Sequence, residues 1–181
     1  IAKRPVLSAF DTSGNCETVL TTDSSNYGLG GYLSQRSQNG EEKIIAFISR
    51  TLSDSEKNYS VIEKEMLGCF WAMKLLRTFL WGIPFTLQTD QKPLIHILST
   101  KGYASDRTSP RINKCAARML EYNYTPKFIS GVNNIVADCF SRLPIQANAE
   151  EYTHDDLQDE CIAYIQDGVI TREELNDAIS K

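Results

Sequence analysis

The sequence predicts an α/β domain built on a five-stranded mixed sheet: a three-strand antiparallel meander extended by parallel strands and flanked by helices. Three observations predict it. Two β-branched, apolar runs, Glu17-Thr18-Val19-Leu20-Thr21-Thr22-Asp23 and Phe85-Thr86-Leu87-Gln88-Thr89-Asp90, both end in Thr-Asp and both meet turn residues. The first is followed by two more strand-like runs joined by short turns. Between the third and fourth runs lies the best helical pattern in the chain.

Taken in order, residues 1–16 hold Pro5, the apolar pair Val6-Leu7 and the polar turn Asp11-Thr12-Ser13-Gly14-Asn15, and read as a connector arriving from an upstream domain. The first strand covers residues 17–23. Gly28-Leu29-Gly30-Gly31-Tyr32-Leu33-Ser34-Gln35 reads as a second strand entered through glycines, which permit close approach of a neighbour or ligand. It matches neither the P-loop nor the dinucleotide fingerprint, so a nucleotide cradle has little support. Asn39-Gly40 is a hairpin signal that leads into a third strand at residues 43–50.

Ser53-x-x-Glu56 and Ser60-x-x-Glu63 each match a capping box, which predicts a short helical turn and then a main helix over residues 60–80, stopped by Trp81-Gly82. Ile62, Met66, Cys69, Phe70, Met73, Leu76 and Leu80 follow its period and are predicted to face the sheet. After the fourth strand, Pro93 starts a short helix that runs to Ser99, where His96 reads as a partly buried structural residue. Ser109-Pro110 opens a further helix to Tyr122. It gathers Arg107, Arg111, Lys114 and Arg118, either as a solvated face or as a phosphate-binding one. Residues 124–130 form the fifth strand, at an edge because of Pro126. Gly131-Val132-Asn133-Asn134 turns into a last helix over residues 135–142, ended by Leu143-Pro144.

Composition suits one domain with an appendage: 181 residues, 41% of them hydrophobic, support a sizeable core. No run of about 18 apolar residues exists, which excludes a transmembrane helix. Five widely spaced cysteines without a Cys-x-x-Cys pair, and only two histidines, argue for free thiols and against a zinc site. The net charge of −4 averages two unlike regions. Residues 1–145 carry 17 basic and 13 acidic side chains, and residues 146–181 carry 2 and 10. A mildly basic body suits a polyanionic partner. The acidic stretch from residue 145 reads as linker with local helicity around Thr171-x-x-Glu174.

The chemistry starts from the two Thr-Asp strand ends. Ligands of open α/β sheets collect outside the carboxyl ends of strands, so Asp23 and Asp90 share a site if their strands are parallel neighbours. Paired carboxylates on rigid strands suit a hard divalent cation such as Mg²⁺. Glu65 sits early in the main helix above a stripe of small residues, Gly68, Cys69 and Ala72, that lets the helix approach the sheet. By itself it reads sooner as a solvated helix glutamate, like Glu56 and Glu63, because charge on a helix usually faces solvent.

The order of elements, with acids at Asp23, Glu65, Asp90 and Asp138, resembles the ribonuclease H domain of reverse transcriptases from gypsy-type long-terminal-repeat retrotransposons. The resemblance rests on Pro5-Val6-Leu7, Thr22-Asp23-Ser24-Ser25, Gly28-x-Gly30, Ser49-Arg50-Thr51-Leu52-Ser53, Asn58-Tyr59-Ser60, Glu63-Lys64-Glu65, Thr89-Asp90-Gln91-Lys92-Pro93-Leu94 and Asn134-Ile135-Val136-Ala137-Asp138 with Ser141-Arg142. It spans about residues 5–144, and implies a ribonuclease H-like fold over residues 17–144. It further implies an endonuclease that hydrolyses the RNA strand of RNA/DNA hybrids with two Mg²⁺ ions, for which Mn²⁺ can substitute. Asp23, Glu65, Asp90 and Asp138 match the family's metal-binding carboxylates. Four acids so close are expected to raise at least one carboxylate pKa in the metal-free site. Ser24, Asn26 and Gln91 are candidates for contacts to the hybrid beside the acids, and Arg111 and Lys114 for its phosphates.

The resemblance also implies a polymerase domain upstream, an integrase downstream of residues 145–181, and action in the element's virus-like particle in the cytoplasm, with nuclear import a further step. No membrane partner is implied, and nothing in the residues addresses oligomeric state. The chain departs from the pattern twice. Gln91 stands where many members have histidine, and the loop at residues 130–133 carries no histidine before the last aspartate. Two rival readings share the fold: a non-catalytic connection or domesticated binding module, and a DNA-cutting integrase or transposase, which usually places a glutamate last.

Overall fold

The computed structural model describes residues 7–99 and 108–143. The expected upstream connector before residue 7, Arg107 and the acidic stretch lie outside them. Five strands form one sheet in the order β3-β2-β1-β4-β5. β1 (Cys16–Ser24), β2 (Gly28–Ser37) and β3 (Glu42–Thr51) are the predicted antiparallel meander. Gly40, with φ of 83°, makes the left-handed turn between β2 and β3 that the Asn-Gly signal predicts. β4 (Pro84–Thr89) lies parallel to β1, pairing Val19 with Thr86 and Thr21 with Gln88. β5 (Asn123–Phe128) lies parallel to β4 at the sheet edge, where Pro126 is tolerated.

Between β3 and β4 the predicted short turn and main helix are three helices. α1 (Asp54–Lys57) and α2 (Val61–Leu75) start at the predicted capping boxes: Glu56 accepts from the Ser53 N–H at 2.9 Å, and Glu63 from the Ser60 N–H at 3.0 Å. The run to residue 80 is broken at Leu76, whose backbone (φ −95°, ψ 20°) leaves the helical region before α3 (Arg77–Leu80). The bend keeps both Leu76 and Leu80 buried and sets Phe79 against Phe10, with ring centroids 5.4 Å apart. α2 buries Met66, Cys69, Ala72 and Met73 with Leu20, Leu33 and Leu87 of the sheet. Phe70 instead lies under the guanidinium of Arg118, from the helix of residues 110–119. Glu56 is not merely solvated, because it takes both terminal nitrogens of Arg50 at 2.7 and 2.9 Å.

α4 (Lys92–Ser99) puts Leu94 and Leu98 into the core, and His96, roughly opposite them on the helix, is exposed. α5 (Pro110–Met119) packs on α2 through Ile112, Ala116 and Met119. A 3₁₀ turn at Gly131–Asn133 leads into α6 (Ile135–Arg142), which lies across β2 and β1. No described helix is long and apolar enough to cross a membrane.

α6 docks where the sheet has no side chain. A Cβ on Gly30 would sit 2.3 Å from Ser141 N, 2.5 Å from Ala137 O and 2.6 Å from Phe140 C, all backbone atoms of α6. Two hydroxyls then hold the helix by its carbonyls: Ser25 Oγ donates to Ser141 O at 2.6 Å and Ser49 Oγ to Phe140 O at 2.7 Å. Because backbone cannot step aside as a flexible side chain can, Gly30→Ala is expected to push α6 off the sheet and cost about 3 kcal/mol, at the upper end for overpacking. Urea unfolding of the two proteins measures it; a loss below about 0.5 kcal/mol would mean that α6 re-seats freely.

Candidate metal centre

The parallel register that pairs Thr21 with Gln88 also brings the next residues of β1 and the end of β4 side by side, with Asp23 and Asp90 two residues further on. Glu65 reaches the same place from α2. A Cβ added to Gly68 would be 3.8 Å from Asp23 O, so this small residue lets the helix rest against the end of β1. Glu65 Oε1 accepts from the Ser24 N–H at 3.3 Å, and Cys69 Sγ meets Thr22 Oγ1 at 3.2 Å. Asp23, Glu65 and Asp90 each offer a carboxylate oxygen within 4.8 Å of the others. The small-residue stripe thus serves close approach, and Glu65 is 3% exposed, not solvated.

Asp138 is the outlying acid. It stands on α6, near enough for its charge to raise the pKa of both Asp23 and Asp90, but its Oδ1 accepts from Arg142 Nε at 2.6 Å, one turn along the helix. The structure therefore gathers three of the four predicted carboxylates and holds the fourth beside them in an ion pair.

Burial, more than mutual repulsion, governs the electrostatics of this cluster. It pushes the Glu65 carboxyl up to about 8, with the Asp23 charge adding to it, and it pushes Asp23 up to about 6, against a lowering hydrogen bond from Ser141 and with help from Asp90 and Asp138. Asp90 is raised as well, again chiefly by burial. Glu65 Oε2 and Asp90 Oδ1 are buried and accept no hydrogen bond among the described residues. Buried carboxylate oxygens are normally satisfied, so two orphans in one acidic cluster fit a hard cation as their missing partner.

The predicted substrate contacts are divided. The Ser24 N–H is committed to Glu65, and exposed Asn26 accepts from Lys64 Nζ at 3.2 Å. Gln91 follows Asp90, its N–H donating to Thr89 Oγ1 at 3.3 Å and its carbonyl receiving the first turn of α4. Arg111 and Lys114 lie on α5, against α2 and outside the carboxylate cluster. Arg111 pairs with Glu63 at 3.3 Å and covers the Tyr59 ring at 4.5 Å, while Lys114 is exposed.

Two site residues were missed by sequence reasoning. Ser141 Oγ donates to Asp23 Oδ2 at 2.7 Å, and Asn134 Nδ2 to Asp23 Oδ1 and Thr22 O, both at 3.3 Å. Their only signal was position, four residues before and three after Asp138 on one helix face.

Comparison with known proteins gives this site its family. Residues 15–122 match the family described as the RNase H-like domain found in reverse transcriptase. The Pol polyprotein from transposon 297 of Drosophila melanogaster is 43% identical over 132 residues, covering 72% of this chain and 11% of the relative. That from the Drosophila transposon gypsy is 35% identical over 133 residues, 73% of this chain and 12% of the relative. The chain thus spans about an eighth or less of these relatives' length. Among solved structures, the foamy viral protease-reverse transcriptase in complex with an RNA/DNA hybrid shares the fold, with a TM-score of 0.51 and 17% identity, over 86% of this chain and 19% of that one. The chain belongs to the RNase H-like domains of reverse transcriptases, on the branch of the gypsy-type long-terminal-repeat retrotransposons.

Proposed function

We propose that this domain is an endonuclease that hydrolyses the RNA strand of RNA/DNA hybrids during reverse transcription. The observation that carries the reading is the convergence of Asp23, Glu65 and Asp90, with two buried carboxylate oxygens left without partners. Asp23, Glu65 and Asp90 would hold divalent cations, Mg²⁺ or Mn²⁺, with Asp138 joining once it releases Arg142. Two such ions supply charge neutralisation on the scissile phosphate and acidify the attacking water. Water's oxygen bonds to phosphorus as the P–O3′ bond breaks, leaving a 3′-hydroxyl and a 5′-phosphate.

The residues around the acids do the positioning. Ser24, Asn26 and Gln91 flank Asp23 and Asp90 in the chain and would meet ribose 2′-hydroxyls, the groups that distinguish RNA from DNA. Arg111 and Lys114 would meet phosphates further along the duplex. With no histidine in the turn at Gly131–Asn133, the enzyme is either slower or uses another proton shuttle. The hybrid-bound foamy viral structure supports a hybrid as substrate, and the Pol polyprotein relatives support a reverse transcriptase polyprotein as the setting; an integrase further along and action inside the element's particle complete the proposal.

The test is cleavage of a labelled RNA/DNA hybrid in Mg²⁺, with duplex DNA and duplex RNA as controls. Cutting confined to the RNA strand of the hybrid, and lost on chelation, is the expected result. Cutting of DNA duplex would favour a transposase-like nuclease, and salt-sensitive hybrid binding without cutting would favour a binding module.

A further inference from the structure

We propose that Ser141 and Asn134 are positioning residues that lock the Asp23 carboxylate in place, so that α6 sets the cation affinity of the site as well as supplying Asp138. This rests on the reading of Asp23 as a cation ligand.

Of the three clustered acids, Asp23 alone has both oxygens held by side chains. Glu65 and Asp90 each keep one buried oxygen free of any hydrogen bond, whereas Asp23 Oδ2 takes the Ser141 hydroxyl and Oδ1 the Asn134 amide. Each Asp23 oxygen has a second lone pair, so the clamp fixes the carboxylate's plane without using up its capacity to bind a cation.

Both donors are placed against the ordinary interests of their own helix. Asn134 occupies the residue before α6, where its side chain would normally cap the first turn. No cap bond forms there. Its amide is spent instead on Asp23 and on the Thr22 carbonyl, while its Oδ1 stays buried and unpartnered. Ser141 has one proton and two acceptors in reach, Asp138 O at 2.9 Å and Asp23 Oδ2 at 2.7 Å. The charged, closer acceptor wins it. Both residues are fully buried, at 1% and 0% exposure, so solvent does not compete for these donors. The glycine contact at Gly30 seats α6 closely enough for the clamp to close.

The test compares Mg²⁺ and Mn²⁺ binding, by calorimetry on the full 181-residue chain, among wild type, Ser141→Ala and Ser49→Ala. Ser49 holds the α6 backbone through Phe140 O and touches none of the acids, so it reports loosened docking alone. Ser141→Ala is expected to weaken cation affinity on the order of tenfold, as loss of a ligand-orienting partner does. Its melting temperature without metal should fall too, because a buried hydrogen bond to a carboxylate is lost, and its hybrid cleavage should recover as Mg²⁺ is raised. Ser49→Ala is expected to melt earlier with wild-type affinity. Equal affinity in wild type and Ser141→Ala overturns the clamp while leaving the nuclease reading intact, and so does an equal loss in Ser49→Ala. A wild type that binds neither cation overturns both.

Discussion

Asp90→Asn is expected to abolish cleavage of the RNA strand while leaving the fold intact. The carboxylate follows directly on β4, and its buried Oδ1 has no donor among the described residues. An asparagine of the same shape would lose the charge and could turn an N–H toward the position a cation needs. Loss of an outer partner of a metal ligand already costs roughly 10–100-fold, so loss of the ligand itself is expected to cost at least about 10³-fold in kcat/KM. The hydrogen bond that the Asp90 backbone gives its own carboxylate can pass to the amide oxygen, and one half-buried charge disappears, so the variant should melt no earlier than wild type. Hybrid cleavage measured beside circular dichroism and thermal melting checks both halves. Full activity in a folded Asp90→Asn would refute the metal centre. Asp23→Asn should be equally inactive but tests the idea less cleanly, because its new amide can face the Asn134 amide and disturb the clamp.

What could be read beforehand was local, and what could not was tertiary. The two Thr-Asp strand ends are visible because β-branched alternation and a following turn are properties of seven or eight neighbouring residues. Their adjacency follows once β1 and β4 are parallel. Glu65 reads from its own helix as a surface charge, the family resemblance makes it a ligand, and the packing of α2 through Gly68 against Asp23 gives the physical reason. The break at Leu76 interrupts a pattern whose apolar period runs on unbroken, so periodicity alone could not place it. Gly30 was read as a permissive strand glycine, whereas the reason for it lies more than 100 residues away in the backbone of α6. Ser141 and Asn134 were in view as parts of a motif and had no assigned role, since their partner Asp23 is more than 110 residues distant. His96 was placed by its apolar neighbours in sequence, but the face of α4 that it occupies is the outer one.

Without metal, the protein is expected to become less stable as the pH rises from about 4.5 to 8, and Glu65→Gln is expected to remove most of that loss. The folded-state pKa values of Glu65, at about 8, and Asp23, at about 6, lie above those of the unfolded chain. Between the two ranges the folded protein binds more protons than the unfolded one, so unfolding free energy falls with pH. The stabilisation is fully present below about pH 4, is lost first through Asp23 near 6, and then through Glu65 near 8. A group moved from 4.5 to about 8 and only 3% exposed is worth on the order of 4 kcal/mol. Glu65→Gln keeps an oxygen for the Ser24 N–H, cannot ionise, and should therefore be the more stable protein at pH 8 and the equal of wild type at pH 4. Added Mg²⁺ should reverse the ranking, because a cation that binds only the folded wild type stabilises it by mass action and finds one ligand fewer in the variant. Urea unfolding at pH 4, 6 and 8, with EDTA and with Mg²⁺, reads all of these signs. A metal-free stability that is flat or rising across that window would mean that the three carboxylates do not share one buried site. The site is thus a strained arrangement that the fold tolerates because α6 and α2 are fixed by contacts elsewhere. The same strain makes its affinity for a divalent cation an expected property of the resting domain, before any nucleic acid arrives.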